Sequence, residues 1–153
     1  MLLRDVRAAM RGQSAWTIGE RELMAAMVAK WSACRYCADV HGAVAATHLG
    51  DASVAAVFSN YRSAPISAGL KATLEFLETM TLRPAELTDR DATAVRLSGV
   101  SDQSLEDAIT VGATFNLIAR YVNALGITIP AVDRHRRLAE RAVARQELRS
   151  GMR

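Results

Sequence analysis

One pattern recurs along most of the chain: a capping residue, an apolar stripe at helical spacing, and then a glycine or a proline. Thr17 with Glu20, and Thr88 with Asp91, are capping-box pairs, which satisfy the free amides at the start of a helix. Between these signals apolar residues recur every three or four positions, and no stretch alternates as a strand does. The pattern therefore predicts an all-α helical bundle.

The boundaries of the predicted helices follow from these signals and from the positions of glycine and proline. We expect helices over about 3–11, 17–31, 33 or 34 to 48, 51–60, 68–81, 88–98, 101–125 and 133–149. Two apolar stripes are the main core candidates: Leu70, Leu74, Leu77 and Met80 in one helix, and Leu105, Ala108, Ile109, Gly112, Phe115, Ile118, Val122 and Leu125 in the longest. Because 153 residues can bury one sizeable core, we expect a single domain over 1–153.

The basic charge of the chain is concentrated at its C-terminus. The last 21 residues hold seven of the 19 Lys and Arg residues but three of the 16 acids, so we expect a basic helix or tail over 133–153. Glu140 and Glu147 lie among these arginines without any aromatic residue, which favours a solvated or inter-subunit face over contact with nucleic acid.

The rest of the composition bears on the location of the protein. No apolar run approaches the roughly 20 residues that a membrane span needs. The charged residues Arg4, Asp5 and Arg7 interrupt what would have to be the apolar core of a secretion signal. We therefore expect a cytoplasmic protein with no membrane partner.

Both cysteines of the chain lie close together, with a histidine shortly after them. The spacing is Cys34-x-x-Cys37, then three residues, then His41. On one helix, Cys37 and His41 would lie about 60° and 20° around the axis from Cys34, so all three would share a face. Thiols one turn apart can form a disulfide without large backbone movement. In a reducing compartment this spacing indicates redox work or metal binding rather than a structural disulfide.

The order in which the two thiols react is left open by the sequence. His41 lies one turn after Cys37 and two turns after Cys34, so in the leading mechanism it helps Cys37 to ionise and attack. A position of Cys34 in the first helical turn would instead let the macrodipole stabilise a Cys34 thiolate. Glu22 lies on the alanine face of the preceding helix, where we expect a partly desolvated carboxylate that orients the imidazole.

Other interpretations of these residues stay open. The cysteines could be small core residues, or they could bind zinc with His41 and Glu22. Tyr36 is expected to cover the thiols or to shape the entry to the site. Asn116 and Arg120 could form a polar seam satisfied by neighbouring backbone or a second subunit, or they could support the site or face the substrate.

The combination of Glu22, eleven intervening residues, Cys34-x-x-Cys37, three residues and His41 resembles the alkylhydroperoxidase D (AhpD)-like branch of the carboxymuconolactone decarboxylase superfamily. The likeness continues through 70–126. It implies an all-helical homo-oligomer that reduces hydroperoxides with Cys34 and Cys37 as the redox pair and Glu22 and His41 as a proton relay. An external dithiol or lipoyl-type reductant would restore the thiols, and neither cofactor nor metal is expected.

The function that we predict from the sequence is therefore a thiol-dependent alkylhydroperoxide reductase. Two alternatives remain: a protein or lipoyl disulfide oxidoreductase that uses the same residues, and a non-enzymatic zinc-binding or redox-switch protein. The chain departs from the family pattern at Tyr36, where better-studied members often have a histidine. This difference bears on the substrate and the reductant more than on the thiol chemistry.

Overall fold

The computed structural model describes residues 2–127, which form seven α-helices and one short 3₁₀ helix. The helices are α1 (Leu2–Arg11), α2 (Ile18–Trp31), α3 (Arg35–Leu49), α4 (Asp51–Asn60), α5 (Ala68–Leu82), the 3₁₀ helix (Pro84–Glu86), α6 (Asp89–Leu97) and α7 (Asp102–Ala124). There is no strand between residues 2 and 127, so the all-α prediction is confirmed. The predicted helix at 133–149 and the basic segment 133–153 lie outside the described residues.

No helix within the described range is long and apolar enough to cross a membrane.

The helices begin where capping side chains occur in the sequence. The backbone amides of Thr17 and Thr88 donate to the carboxylates of Glu20 and Asp91, as the two capping boxes predict. Ser67 and Ser101 cap α5 and α7 by accepting hydrogen bonds from backbone amides three residues later. Local capping chemistry therefore explains why the predicted starts agree with the observed ones.

Helix α2 lies at the centre of the bundle and packs against α3, α5 and α7. It is buried on nearly every side, since ten of its 14 residues are buried. Leu74 and Leu77 of α5 and Phe115 of α7 belong to the same main core. Gly112 permits close approach of α7 to α5, because a Cβ there would lie 2.7 Å from the Leu77 side chain.

One residue of the predicted core stripes does not lie in the core. Leu125 is 71% exposed, because α7 ends at Ala124 and Leu125 forms its C-cap. The prediction that Leu125 continues the stripe was therefore wrong.

A second, smaller group of buried residues lies apart from the main core, where the C-terminal end of α2, the start of α3 and the second half of α7 meet. We call it the cysteine cluster. Its members are Ala29, Cys34, Cys37, Ala38, Ala119 and Val122.

Candidate functional site

The turn between α2 and α3 determines the position of the first cysteine. The amide of Cys34 donates to the Ala29 carbonyl at 2.8 Å and that of Ala33 to the Lys30 carbonyl at 3.1 Å, which is the Schellman pattern at a helix end. Ala33 has φ 53 and is the only non-glycine residue with positive φ among residues 2–127. Cys34 thus closes the Schellman motif that follows α2 and is at the same time the N-cap of α3.

The two thiols are buried and reduced. Cys34 is 0% exposed and Cys37 is 3% exposed, and both are free cysteines. Burial, and after it the neighbouring Cys34 thiol, raises the pKa of Cys37 to about 12. Near neutral pH Cys37 therefore keeps its proton. The N-cap position of Cys34 lies at the positive end of the α3 macrodipole, which favours a negative charge there.

Glu22 and His41 form a short hydrogen bond between α2 and α3. The Glu22 carboxylate is 2% exposed, and its Oε2 lies 2.6 Å from Nδ1 of His41. Burial acts to raise the pKa of Glu22, but hydrogen bonds and charges from His41 and Arg11 outweigh it and hold the pKa below its usual value. An ionised carboxylate can only accept, so Nδ1 carries the hydrogen and Nε2 is the ring nitrogen that can take up a proton.

Arg11, in the last turn of α1, is a site residue that sequence analysis missed. Its Nη2 lies 2.5 Å from Oε1 of Glu22, so each oxygen of the carboxylate has one partner. The sequence predicted a helix over 3–11 but contained no local signal that this helix points an arginine at Glu22.

His41 is held in place by a ring contact as well. The Phe115 ring of α7 lies edge-on to the imidazole, with ring centroids 4.4 Å apart and an interplanar angle of 78°. Phe115 also belongs to the main core, so it connects the imidazole to the best-packed part of the molecule. In the described part of the chain His41 shares no hydrogen bond with either thiol.

The three secondary candidates lie around the same region. Tyr36 is partly buried and packs against the cysteine cluster. Asn116 donates to the Thr81 hydroxyl at 3.0 Å and to the Gly112 carbonyl at 3.1 Å, while Arg120 donates to the Asn116 carbonyl at 2.7 Å. This arrangement agrees with a polar seam satisfied within the bundle.

The same helix face also holds the turn that carries the thiols. Asn123 donates to the Ser32 carbonyl at 3.1 Å, and the Ser32 hydroxyl lies 3.5 Å from the side-chain oxygen of Asn116. Two side chains of α7 therefore hold the α2–α3 turn at Ser32, the residue before the strained Ala33. Asn123 was not selected from the sequence, because nothing local marks a partner 91 residues away.

A cavity of about 280 Å³ opens beside this turn. It is lined by Lys30, Ala33, Arg35, Ala38, Asp39 and Phe58. Ala38 is a member of the cysteine cluster and Ala33 precedes Cys34, so this cavity lies next to the segment that carries the thiols. Lys30 donates to the Phe58 carbonyl and lies over the Phe58 ring, with Nζ 5.5 Å from its centroid.

The donor set for zinc is not assembled in this part of the molecule. Between residues 2 and 127 no group of three or more His, Cys, Asp or Glu side chains is placed to hold a metal ion. Glu22 and His41 bind each other. The zinc interpretation therefore receives no support from the described residues.

No protein-family model matches the sequence, and no curated protein matches it either. The solved structures that are similar to this chain include two peroxidase-related proteins. An uncharacterized peroxidase-related protein from Silicibacter sp. TM1040 is 29% identical with a TM-score of 0.79, and the match covers 85% of this chain and 69% of that one. An uncharacterized peroxidase-related protein from Ralstonia eutropha JMP134, described as an alkylhydroperoxidase AhpD core, is 26% identical with a TM-score of 0.78 over the same shares. The comparison confirms the AhpD-like helical fold that the sequence predicts.

Proposed function

We propose that this chain, a member of the alkylhydroperoxidase D-like superfamily, reduces organic hydroperoxides with Cys34 and Cys37 as its redox pair. Similarity to peroxidase-related proteins supports a peroxide-related redox role. The observation that carries the proposal is the burial of two free thiols, three residues apart, at the start of α3. An ionised Glu22 bound to His41 lies on the adjoining helices and supplies a proton relay.

The proposed reaction has three steps. A thiolate attacks one peroxide oxygen, the O–O bond breaks, and the sulfur becomes a sulfenic acid while the alkoxide takes a proton and leaves as the alcohol. The second thiol attacks the sulfenic sulfur, which forms the disulfide and releases water. An external dithiol then reduces the disulfide by thiol–disulfide exchange and is itself oxidised.

The surroundings of the two thiols favour Cys34 as the first nucleophile. Burial raises the pKa of Cys37 so that it retains its proton near neutral pH, and Cys34 lies at the positive end of α3. This order is the reverse of the leading mechanism from the sequence, in which His41 helps Cys37 to ionise and attack first. The peroxide would reach Cys34 through the cavity next to Ala33 and Ala38.

His41 is proposed to move protons through Nε2. Its Nδ1 is bound to Glu22, so Nε2 can take up the proton that the attacking thiol releases and give it to the leaving alkoxide. It can then take the proton of the second thiol and give it to the hydroxide that leaves the sulfenic acid as water. Because His41 and the thiols share no hydrogen bond in the resting site, the peroxide itself would complete the relay. Catalytic hydrogen bonds often tighten only when substrate is bound.

Mass analysis before and after one equivalent of an organic hydroperoxide tests the proposal. The reduced protein should lose two hydrogens and regain them with a dithiol. Cys34→Ser and Cys37→Ser should each abolish turnover, and His41→Ala should slow the first step about a hundredfold. The proposal is wrong if the double serine variant consumes peroxide at the wild-type rate.

The single serine variants also decide the order of attack. If Cys34 attacks first, Cys37→Ser should form a sulfenic acid that a dimedone probe traps, and Cys34→Ser should react far more slowly. Turnover with a small disulfide, compared with turnover with a hydroperoxide, distinguishes the disulfide oxidoreductase alternative. The lipoyl-type reductant, the homo-oligomer and the cytoplasmic location are further parts of the proposal, testable by reductant assays, sedimentation and cell fractionation.

A further inference from the structure

We propose that Arg11, which lies outside the cysteine and histidine motif, is a positioning residue that holds the Glu22 carboxylate in the orientation in which it accepts from His41. The effect of Arg11 on catalysis rests on the proposed function. The contacts among Arg11, Glu22 and His41 do not, and they can be tested without any peroxide.

The arrangement is a chain of three side chains from three helices. Nη2 of Arg11 in α1 lies 2.5 Å from Oε1 of Glu22 in α2, and Oε2 of Glu22 lies 2.6 Å from Nδ1 of His41 in α3. A carboxylate that is bound through both oxygens cannot rotate without breaking one of these bonds. Arg11 therefore fixes the oxygen that faces the imidazole.

The approach of Arg11 is itself fixed by the way α1 is held. Nη1 of Arg21 donates to the carbonyls of Ala9 at 3.2 Å and Gly12 at 2.9 Å, which are at the C-terminal end of α1. Arg21 is 5% exposed, so these bonds are shielded from water. Met10, next to Arg11, is buried in the main core. Arg11 is thus carried by an anchored helix end rather than by a surface segment.

The charges around Glu22 give this contact a chemical consequence. Three cationic or ionisable groups face the carboxylate: Arg11 from α1, Arg21 from its own helix and His41 from α3. Burial alone favours the protonated carboxyl, and Arg11 is one of the two groups that hydrogen-bond the ionised form. Without Arg11, Glu22 should take up a proton more readily. A protonated Glu22 is a poorer acceptor for Nδ1, so the imidazole loses its fixed tautomer.

The experiment compares two neutral variants, Arg11→Gln and Arg11→Met, with the conservative Arg11→Lys. Arg7→Gln is the matched control, because Arg7 is an exposed arginine of the same helix. The readouts are the ¹³C NMR titration of the Glu22 carboxyl, the ¹⁵N signals of the His41 ring, and the pH profile of peroxide turnover. Two neutral variants are used so that one remains if the other does not fold.

In the neutral variants Glu22 should titrate at a higher pH than in the wild type. This shift should be larger than any shift that Arg7→Gln causes. Their ¹⁵N signals should indicate a mixture of His41 tautomers. The acid limb of turnover should move in the same direction, with turnover at neutral pH lower by about three- to tenfold. Arg11→Lys should recover most of these properties because it keeps the charge.

Two results distinguish the failure of this inference from failure of the proposed function. A wild-type Glu22 titration and His41 spectrum in a folded neutral variant would overturn the positioning role, even if turnover falls. If the NMR signals shift as expected while the wild-type protein has no peroxidase activity, the positioning role stands and the proposed function fails.

Discussion

Glu22 is the residue on which the site most depends, and its environment could be predicted from the sequence. The residues that share its face of α2 include Ala25, Ala26 and Ala29, and a face of small side chains admits another helix at close range. The structure buries all three alanines completely and leaves Glu22 only 2% exposed. A carboxylate in such a place is stable only if it is paired, and the pairing with His41 and Arg11 meets that requirement.

The ionised Glu22 should make stability depend on pH. Because its folded pKa lies below the usual value of 4.5, the stabilisation is present above that value and is lost as the pH falls through the folded pKa. Glu22→Gln should cost about 2 kcal/mol at neutral pH, since Arg11 and His41 then face a neutral amide. Thermal unfolding of both proteins between about pH 3 and pH 8 should show the difference shrinking toward acid.

Glu75→Gln is the control for this series, because Glu75 is an exposed carboxylate on α5. The unfolding temperature of the Glu75→Gln variant should equal that of the wild type at every pH. A gap between wild type and Glu22→Gln that stays constant down to the acid end would mean that Glu22 is not held as an anion in the folded protein.

The limits of sequence analysis at this scale are visible in Arg11. Glu22, the two cysteines and His41 could be selected because their spacing along the chain is informative. The contact of Arg11 with Glu22 depends on the packing direction of α1, and that direction depends on hydrogen bonds from Arg21 to the end of α1. No local pattern encodes a tertiary contact of this kind.

At the scale of whole helices, the starts could be predicted from the sequence and one turn could not. Capping boxes and N-cap serines are local signals, so the predicted starts of α2, α5, α6 and α7 fall at or within one residue of the observed ones. The α2–α3 break carries no glycine. Its left-handed residue is Ala33, and the sequence alone placed the break only loosely, at Ala33 or Cys34.

Ala33→Gly should stabilise the protein. An L-residue in the left-handed region costs roughly 1–2 kcal/mol relative to glycine, and the greater entropy of glycine in the unfolded chain offsets about half of that. The expected net gain is about 0.5–1 kcal/mol, measured as a higher urea midpoint with an unchanged slope.

The matched control is Ala55→Gly, an exposed position inside α4. There the same chemical change should destabilise the protein by about 0.5–1 kcal/mol, because glycine is a poor helix former. Equal losses of stability in both variants would show that Ala33 is not strained in solution.

At the scale of the whole molecule, the buried residues divide into two groups with different tasks. The main core, built by α2, α5 and the first half of α7, holds the bundle together. The cysteine cluster lies beside it, and Phe58 and Ile118 pack against both groups. The apolar stripes predicted the main core well. They did not predict that the cysteine cluster is separate from the main core, because one continuous stripe of α7 contributes residues to both groups.

This division predicts that the thiols can be removed without loss of the fold. The double variant Cys34→Ala with Cys37→Ala deletes two small side chains from the cysteine cluster and should cost about 2 kcal/mol or less, with cooperative unfolding retained. Leu74→Ala removes a completely buried side chain of the main core and should cost about 2–5 kcal/mol. Urea unfolding followed by circular dichroism measures both.

The comparison decides what a loss of peroxidase activity in cysteine variants means. If the double alanine variant unfolds cooperatively near the wild-type midpoint, its inactivity reports on chemistry, because the bundle is intact. If it instead loses cooperativity, or loses more stability than Leu74→Ala does, the cysteines are structural parts of the bundle. The thiol pair would then owe its burial to packing, and the redox interpretation of its position at the start of α3 would lose its main support.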